Sequence, residues 1–485
     1  MSDPIVTTAA GDVRGTEGDV RRFLGVPYAA PPRGAGRFAP PRPPEPWTGV
    51  RDARTFGPTA PQPRRDAFGA LDMSPYFGPG WVRGDDHLTV NVWAPRGAAR
   101  RPVMVFVHGG GFVAGSPRAA LYDGAAFARD GAVLVTVGYR LGVAGFLDLP
   151  GAPRNRGLLD VLAALRWVRR EIGAFGGDPG NVTLFGQSAG ATIVAGMLAT
   201  READGLFRRA IVQSGSGLGA FAPEQAARVT GAAAAALGVA GTAEGFAGVP
   251  DERLVDVVPE LGGLDLRTGE LFDPLAGLSP FGLVLDRQPA RSRLADVDLL
   301  VGTNAEEGNL YLAPQGNLTS STARDVRETA SAVHADPDAL VAAYRSRRPD
   351  AGEGEVRSAI LGDALFGTGS RALAEAHGNA HVYEFVWRSG AVGGLLGAAH
   401  AVEVPFVFGR FDLPELGGPR GLLGPAEPPA PLAGEMRAAW VSFARSGDPG
   451  WPPYGRDGTV RRFGAAPETT MPSGSSVWER PVGAV

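Results

Sequence analysis

The pentapeptide Gly186-Gln187-Ser188-Ala189-Gly190 constrains this chain more than any other stretch. Residues 182–185 before it are apolar and β-prone, as a buried strand requires. Residues 191–198 after it are small and apolar, as in a buried helix. A strand that stops abruptly, turns through Gly-x-Ser-x-Gly and continues as a helix holds the serine hydroxyl above the end of a sheet. The pentapeptide alone is a weak signal, because 71 of the 485 residues are glycine, and Ser188 could merely cap a helix. The strand before and the helix after it favour a nucleophile.

The surrounding pattern predicts the sheet that such a turn needs. Residues 103–107 and 132–137 are short, continuously apolar runs, as expected of strands covered on both faces. Residues 158–172 recur at helical spacing through Leu159, Leu162, Leu165 and Val168. Further strands are expected at 182–185, 210–212, 299–301 and 382–387. Alternating strands and helices imply an α/β fold, a large, mainly parallel sheet with helices on both faces. The first hundred residues read as loops with short strands. No break in composition marks a second domain, so one domain spans 1–485. Cap-like insertions are expected near 231–293 and 317–375, and a mobile surface loop at 417–434.

Composition narrows the chemistry. The net charge is −4 and the basic residues are scattered, so neither nucleic acid nor an anionic membrane is an expected partner. All 47 basic residues are arginine, which excludes a lysine-bearing phosphate loop. There is no cysteine, which excludes disulfides, thiolate metal sites and a cysteine nucleophile. No histidine pair suggests a metal centre, so no metal and no cofactor are expected. The N-terminus lacks a basic start and an apolar core, and no run nears ~18 apolar residues. A cytoplasmic location follows as an expectation. Oligomeric state is not readable.

A serine nucleophile needs a base and a group that orients the base. On a parallel sheet with this turn, the acid and then the histidine follow the serine in chain order. That removes His87 and His108. His377 lies in a helical stretch and His381 opens a strand. His400, on a Gly-rich loop after the strand at 382–387, is the candidate base. The acid should follow the strand at 299–301, where Glu306 and Glu307 are adjacent, and the residues themselves do not choose between them. The oxyanion of a tetrahedral intermediate needs preorganised N–H donors. His108-Gly109-Gly110-Gly111-Phe112 follows a buried strand and brings several backbone N–H groups close to one point. Ala189 adds another N–H.

Beyond these sites, the chain resembles the type-B carboxylesterases, the cholinesterase-like branch of the α/β-hydrolases. The resemblance rests on Phe23-Leu-Gly-Val-Pro-Tyr-Ala-Ala-Pro-Pro32 with Arg37-Phe38, on Asn91-Val-Trp93, and on Phe175-Gly-Gly-Asp-Pro179 running into the serine turn. It extends to the stretch from Trp440 to Tyr454, so it covers about residues 5–465. It implies a serine carboxylesterase acting on small-molecule esters through an acyl-enzyme, of the bacterial para-nitrobenzyl-esterase-like kind. The family's acid segment, Gly-Thr-x-x-x-Glu-Gly, matches 302–308 and selects Glu307. Its histidine segment matches 397–406 and selects His400. Its oxyanion donors map onto Gly110, Gly111 and Ala189, and its acyl-pocket aromatic onto Phe221, which could equally be a core residue.

Two departures stand out. The loop that many relatives staple with a disulfide runs here between Ala60 and His87, so it is expected to be more mobile or differently folded. Residue 187 is Gln where many relatives carry Glu, which weakens the case for a cationic substrate. The other readings are a carbamate or amide hydrolase with the same triad and a non-catalytic binding module.

Overall fold

The computed structural model describes residues 3–269, 271–455 and 458–465. Ten strands form one sheet: β1 (Thr16–Glu17), β2 (Val20–Pro27), β3 (Thr89–Pro95), β4 (Arg101–Val107), β5 (Val133–Val137), β6 (Gly177–Gln187), β7 (Arg209–Gln213), β8 (Asp298–Asn304), β9 (His381–Phe385) and β10 (Arg461–Phe463). Their spatial order is β10-β9-β8-β7-β6-β4-β5-β3-β2-β1. Strands β4 to β10 run parallel to their neighbours, whereas β3, β2 and β1 pair antiparallel at one edge. The α/β expectation therefore holds, with an antiparallel edge.

Alternation along each strand sends neighbouring side chains to opposite faces. In β4, Val103, Val105 and Val107 join one core cluster, and Met104 and Phe106 join another. Helices α1 (Arg156–Glu171), α2 (Ala189–Leu198) and α3 (Pro223–Leu237) bury apolar residues in the first cluster. Helix α4 (Ala430–Ser446) closes the second with Trp440, Met436 and Phe443. Both faces are covered, which explains the continuous apolar runs of β4 and β5.

A buried ion pair fixes the antiparallel side to the helices. Arg140, just past β5, makes a bidentate contact with Asp160 of α1 at 2.7 and 2.9 Å. Its remaining nitrogen donates to the carbonyls of Arg37 and Ala39, which ties down the N-terminal motif.

The structure corrects some boundaries. The strand expected to reach residue 387 ends at Phe385. The segment at 417–434 is not an open surface loop. Leu422 and Leu423 are buried, and α4 begins at Ala430. The two leucines carry apolar area that is stable only out of water. Of the first expected insertion, α3 packs on the sheet through Val229, Ala233 and Ala234, and only residues near 275–279 reach the serine cavity. In the second, three helices over 323–362 share a small core of their own, including Val326, Leu340 and Ile360.

Candidate active site

β6 ends at Gln187 and α2 begins at Ala189, which leaves Ser188 alone in the turn at φ 58° and ψ −126°. A serine adopts positive φ only when its surroundings enforce it. The flanking glycines allow that enforcement by close packing. A Cβ on Gly186 would lie 2.6 Å from the carbonyl carbon of Gly190, and one on Gly190 would lie 2.1 Å from the oxygen of Val107. Any side chain at either position would push α2 off the sheet. The Ser188 N–H donates to the Gln213 carbonyl of β7 at 3.0 Å, which anchors the turn to the next strand.

β8 runs into the loop carrying Glu306 and Glu307, and the two carboxylates diverge. Glu306 accepts the Ala398 N–H at 2.8 Å and pairs with Arg388. Glu307 is buried and turns to the histidine. His400 Nδ1 donates to its Oε2 at 2.7 Å. Its other oxygen, Oε1, accepts from the Ser214 hydroxyl at 2.6 Å and the Asn304 N–H at 2.8 Å. Three donors thus hold the carboxylate against His400. With Nδ1 carrying the proton, Nε2 presents its lone pair. The Gln187 amide nitrogen lies 3.2 Å from it and donates to it. Both Ser188 and His400 face one cavity, but the serine hydroxyl makes no hydrogen bond among the described residues. Nucleophile–base contacts are often loose before substrate binds.

A second carboxylate sits behind this pair. Glu403 is fully buried; its Oε2 accepts from Asn304 Nδ2 at 2.7 Å, while its Oε1 has no partner among the described residues. Burial, reinforced by the charge of Glu307, pushes its pKa up to about 7.

β4 delivers the triple glycine directly to the serine. Gly110 has φ 120°, and a Cβ on it would strike the Ala114 oxygen at 2.0 Å. No described backbone carbonyl accepts from the N–H of Gly110 or Gly111. Ala189 opens α2, where the first N–H groups have no intrahelical acceptor. The loop is pinned from outside, since the Ser279 hydroxyl donates to the Gly111 carbonyl at 2.7 Å. His108 does not approach the triad; it stacks on Tyr139 with centroids 4.4 Å apart.

The cavity, about 90 Å³, is narrow and mostly apolar, with Phe68, Phe77, Phe112, Tyr311, Leu275 and Phe366 among its walls. The Phe366 ring stacks on His400 at 4.1 Å and nearly parallel, so it covers one face of the imidazole. A larger cavity of about 560 Å³ opens behind Glu307, but neither Ser188 nor His400 lines it, so it cannot host attack on a carbonyl. Phe221 does not line the serine cavity. It is buried in the core, and its backbone bridges to Leu283 and Leu285. That bridge fixes the ring among apolar side chains, the core alternative of the sequence analysis. Phe366, Ser214 and Asn304 carry no mark of the site in the sequence; they reach it from the helix at 363–367, from the residue just past β7 and from the end of β8.

The mainly parallel sheet, the serine turn between β6 and α2 and the Glu-bonded histidine after β9 define an α/β-hydrolase. The chain matches the Carboxylesterase family over residues 2–471 and belongs to that family. It is 35% identical over 477 residues to the para-nitrobenzyl esterase of Bacillus subtilis (strain 168), covering 94% of this chain and 93% of that protein. It is 34% identical to the fumonisin B1 esterase of Sphingopyxis macrogoltabida, covering 94% and 86%. Among solved structures, a PNB esterase superposes with a TM-score of 0.76 at 32% identity, covering 94% of each chain. The Geobacillus stearothermophilus carboxylesterase EST55 superposes with a TM-score of 0.79 at 33% identity, covering 94% and 96%. The protein is thus a serine carboxylesterase, an enzyme that hydrolyses carboxylic esters.

Proposed function

We propose that Ser188, His400 and Glu307 form the catalytic triad and that the N–H groups of Gly110, Gly111 and Ala189 form the oxyanion hole. His400 Nε2 takes the Ser188 proton as the hydroxyl oxygen attacks the ester carbonyl. Glu307 keeps the imidazole in the Nδ1–H tautomer and stabilises the imidazolium. The developing oxyanion is met by donors each worth about 2.7–4 kcal/mol. His400 then protonates the leaving alcohol. Water repeats the sequence on the acyl-enzyme and regenerates Ser188. Neither a metal nor a cofactor enters these steps.

The 2.7 Å bond from His400 to a carboxylate held by two further donors, beside a serine at positive φ, carries this reading. In the proposed reaction Gln187 yields the Nε2 lone pair to Ser188, a shift of one amide. The segments at 231–293 and 317–375 act as cap insertions of a single domain, since Leu275, Ser279, Leu365 and Phe366 roof the cavity. A cytoplasmic, bacterial setting belongs to the same reading; no described helix is long and apolar enough to cross a membrane.

The test is Ser188→Ala. Turnover of 4-nitrophenyl butyrate should fall by about 10⁴-fold or more while the circular dichroism spectrum stays unchanged. Turnover at the parent rate would remove Ser188 from the mechanism.

A further inference from the structure

Among the described residues, the serine cavity carries one formal charge on its walls, and that charge has no counter-ion. Arg65 lies on the loop at 60–87 and reaches the cavity beside the triple glycine. A methyl group placed on Gly111 would come within 3.6 Å of its Nη1. Among the described residues Arg65 makes neither an ion pair nor a hydrogen bond. Its guanidinium instead sits 5.7 Å from the centre of the Phe68 ring and 5.5 Å from that of Phe77. No described carboxylate lines the cavity, and the residue beside Ser188 is the neutral Gln187.

This arrangement is unusual for the chain. Most of the other arginines described in contacts pair with Asp or Glu at the surface, as Arg64 does with neighbouring Asp66. Partial burial without a partner costs a guanidinium some of its hydration, and it pushes the Arg65 pKa down from its ordinary value. Contacts with two ring faces offset only part of that cost. The planar fork is left free to bind two oxygens side by side, the geometry of a carboxylate.

We infer that the cavity selects esters bearing a free carboxylate, and that Arg65 is the specificity residue that binds it. The inference rests on the esterase reading above and adds the substrate class. A carboxylate enters the cavity with its charge answered by Arg65, whereas a neutral ester leaves the guanidinium unpaired. A cationic ester meets a like charge.

Two matched pairs of esters test this. Mono-4-nitrophenyl adipate against 4-nitrophenyl hexanoate places the carboxylate on the acyl side. 5-Butanoyloxypentanoate against pentyl butanoate places it on the alcohol side. The readout is the ratio of kcat/KM, anionic over neutral, for the parent, Arg65→Met and Arg65→Lys. A charge-assisted pair predicts a parent ratio of about ten or more in at least one pair of esters. Arg65→Met should lower that ratio by about tenfold, mainly through KM, and Arg65→Lys should retain part of it. A parent ratio at or below one in both pairs overturns the inference. So does an Arg65→Met variant that loses both members equally, since the cation would then serve the oxyanion and not the substrate. Hydrolysis of neither member of any pair by the parent would instead strike at the esterase reading itself. Measurable turnover of the neutral esters by each variant shows that it is folded.

Discussion

Ser188 and Glu403 show how far single residues here depart from their resting preferences. Ser188 is held at positive φ, at a cost of about 1–3 kcal/mol, by the packing of Gly186 and Gly190 and the bond to Gln213. Glu403 is held in a site that favours its neutral form. Its pKa is about 7 in the fold, against ~4.3 for an unfolded glutamate. The folded state therefore holds the proton across that interval and the unfolded state does not. The stabilising contribution is complete below about pH 4 and is lost as pH rises through 7, a span of roughly 4 kcal/mol. Glu403→Gln cannot titrate, so the variant should gain stability relative to the parent between pH 5 and pH 9. Urea midpoints measured at both values check this. Parallel midpoints at the two pH values would show that Glu403 does not titrate with folding.

At the scale of elements, the loop at 60–87 replaces a covalent staple with hydrogen bonds. The Thr59 hydroxyl donates to the Gly80 carbonyl at 2.7 Å and accepts the Val82 N–H at 2.8 Å, drawing the two ends of the loop together. Gln62 exchanges two hydrogen bonds with Gly115, just past the triple glycine. The loop presents Arg65, Phe68, Met73 and Tyr76 to the cavity, so its anchoring bears on the site. Thr59→Val keeps the volume and strands one donor and one acceptor. It should cost about 1–3 kcal/mol and speed limited proteolysis within 60–87. Unfolding midpoints and the mass of the first cleavage products report both effects.

Elements whose signal is local were legible in the sequence. The runs that became β4, β5, β7 and β8 are short and apolar because both faces of the sheet are covered, and α1 shows its period because one side packs on the core. The serine turn, the triple glycine and the segment around Glu307 could be placed for the same reason, since close backbone packing leaves glycine behind. Choosing Glu307 over Glu306 required resemblance, because the divergence of the two carboxylates depends on Ser214 and Ala398, far away in sequence. Phe366 over His400 and Arg65 beside Gly111 carry no local mark, since each is created when two loops meet. Phe221 shows the converse, a residue placed by motif in the pocket and held by a backbone bridge in the core.

For the molecule as a whole, the sheet divides two apolar cores and brings four distant segments to one edge. β4 leads into the triple glycine, β6 into Ser188, β8 into the loop of Glu307, and the stretch after β9 carries His400. The cavity walls are mostly apolar, which strengthens the electrostatic contacts within it. The central claim is that this convergence makes Ser188 the one activated hydroxyl. Reaction with a fluorophosphonate followed by peptide mapping tests it most directly, with the parent and His400→Ala compared side by side. The account predicts a single adduct on Ser188, formed at least about a hundredfold more slowly when the base is removed. An adduct on another residue, or labelling of Ser188 that is indifferent to His400, would contradict it.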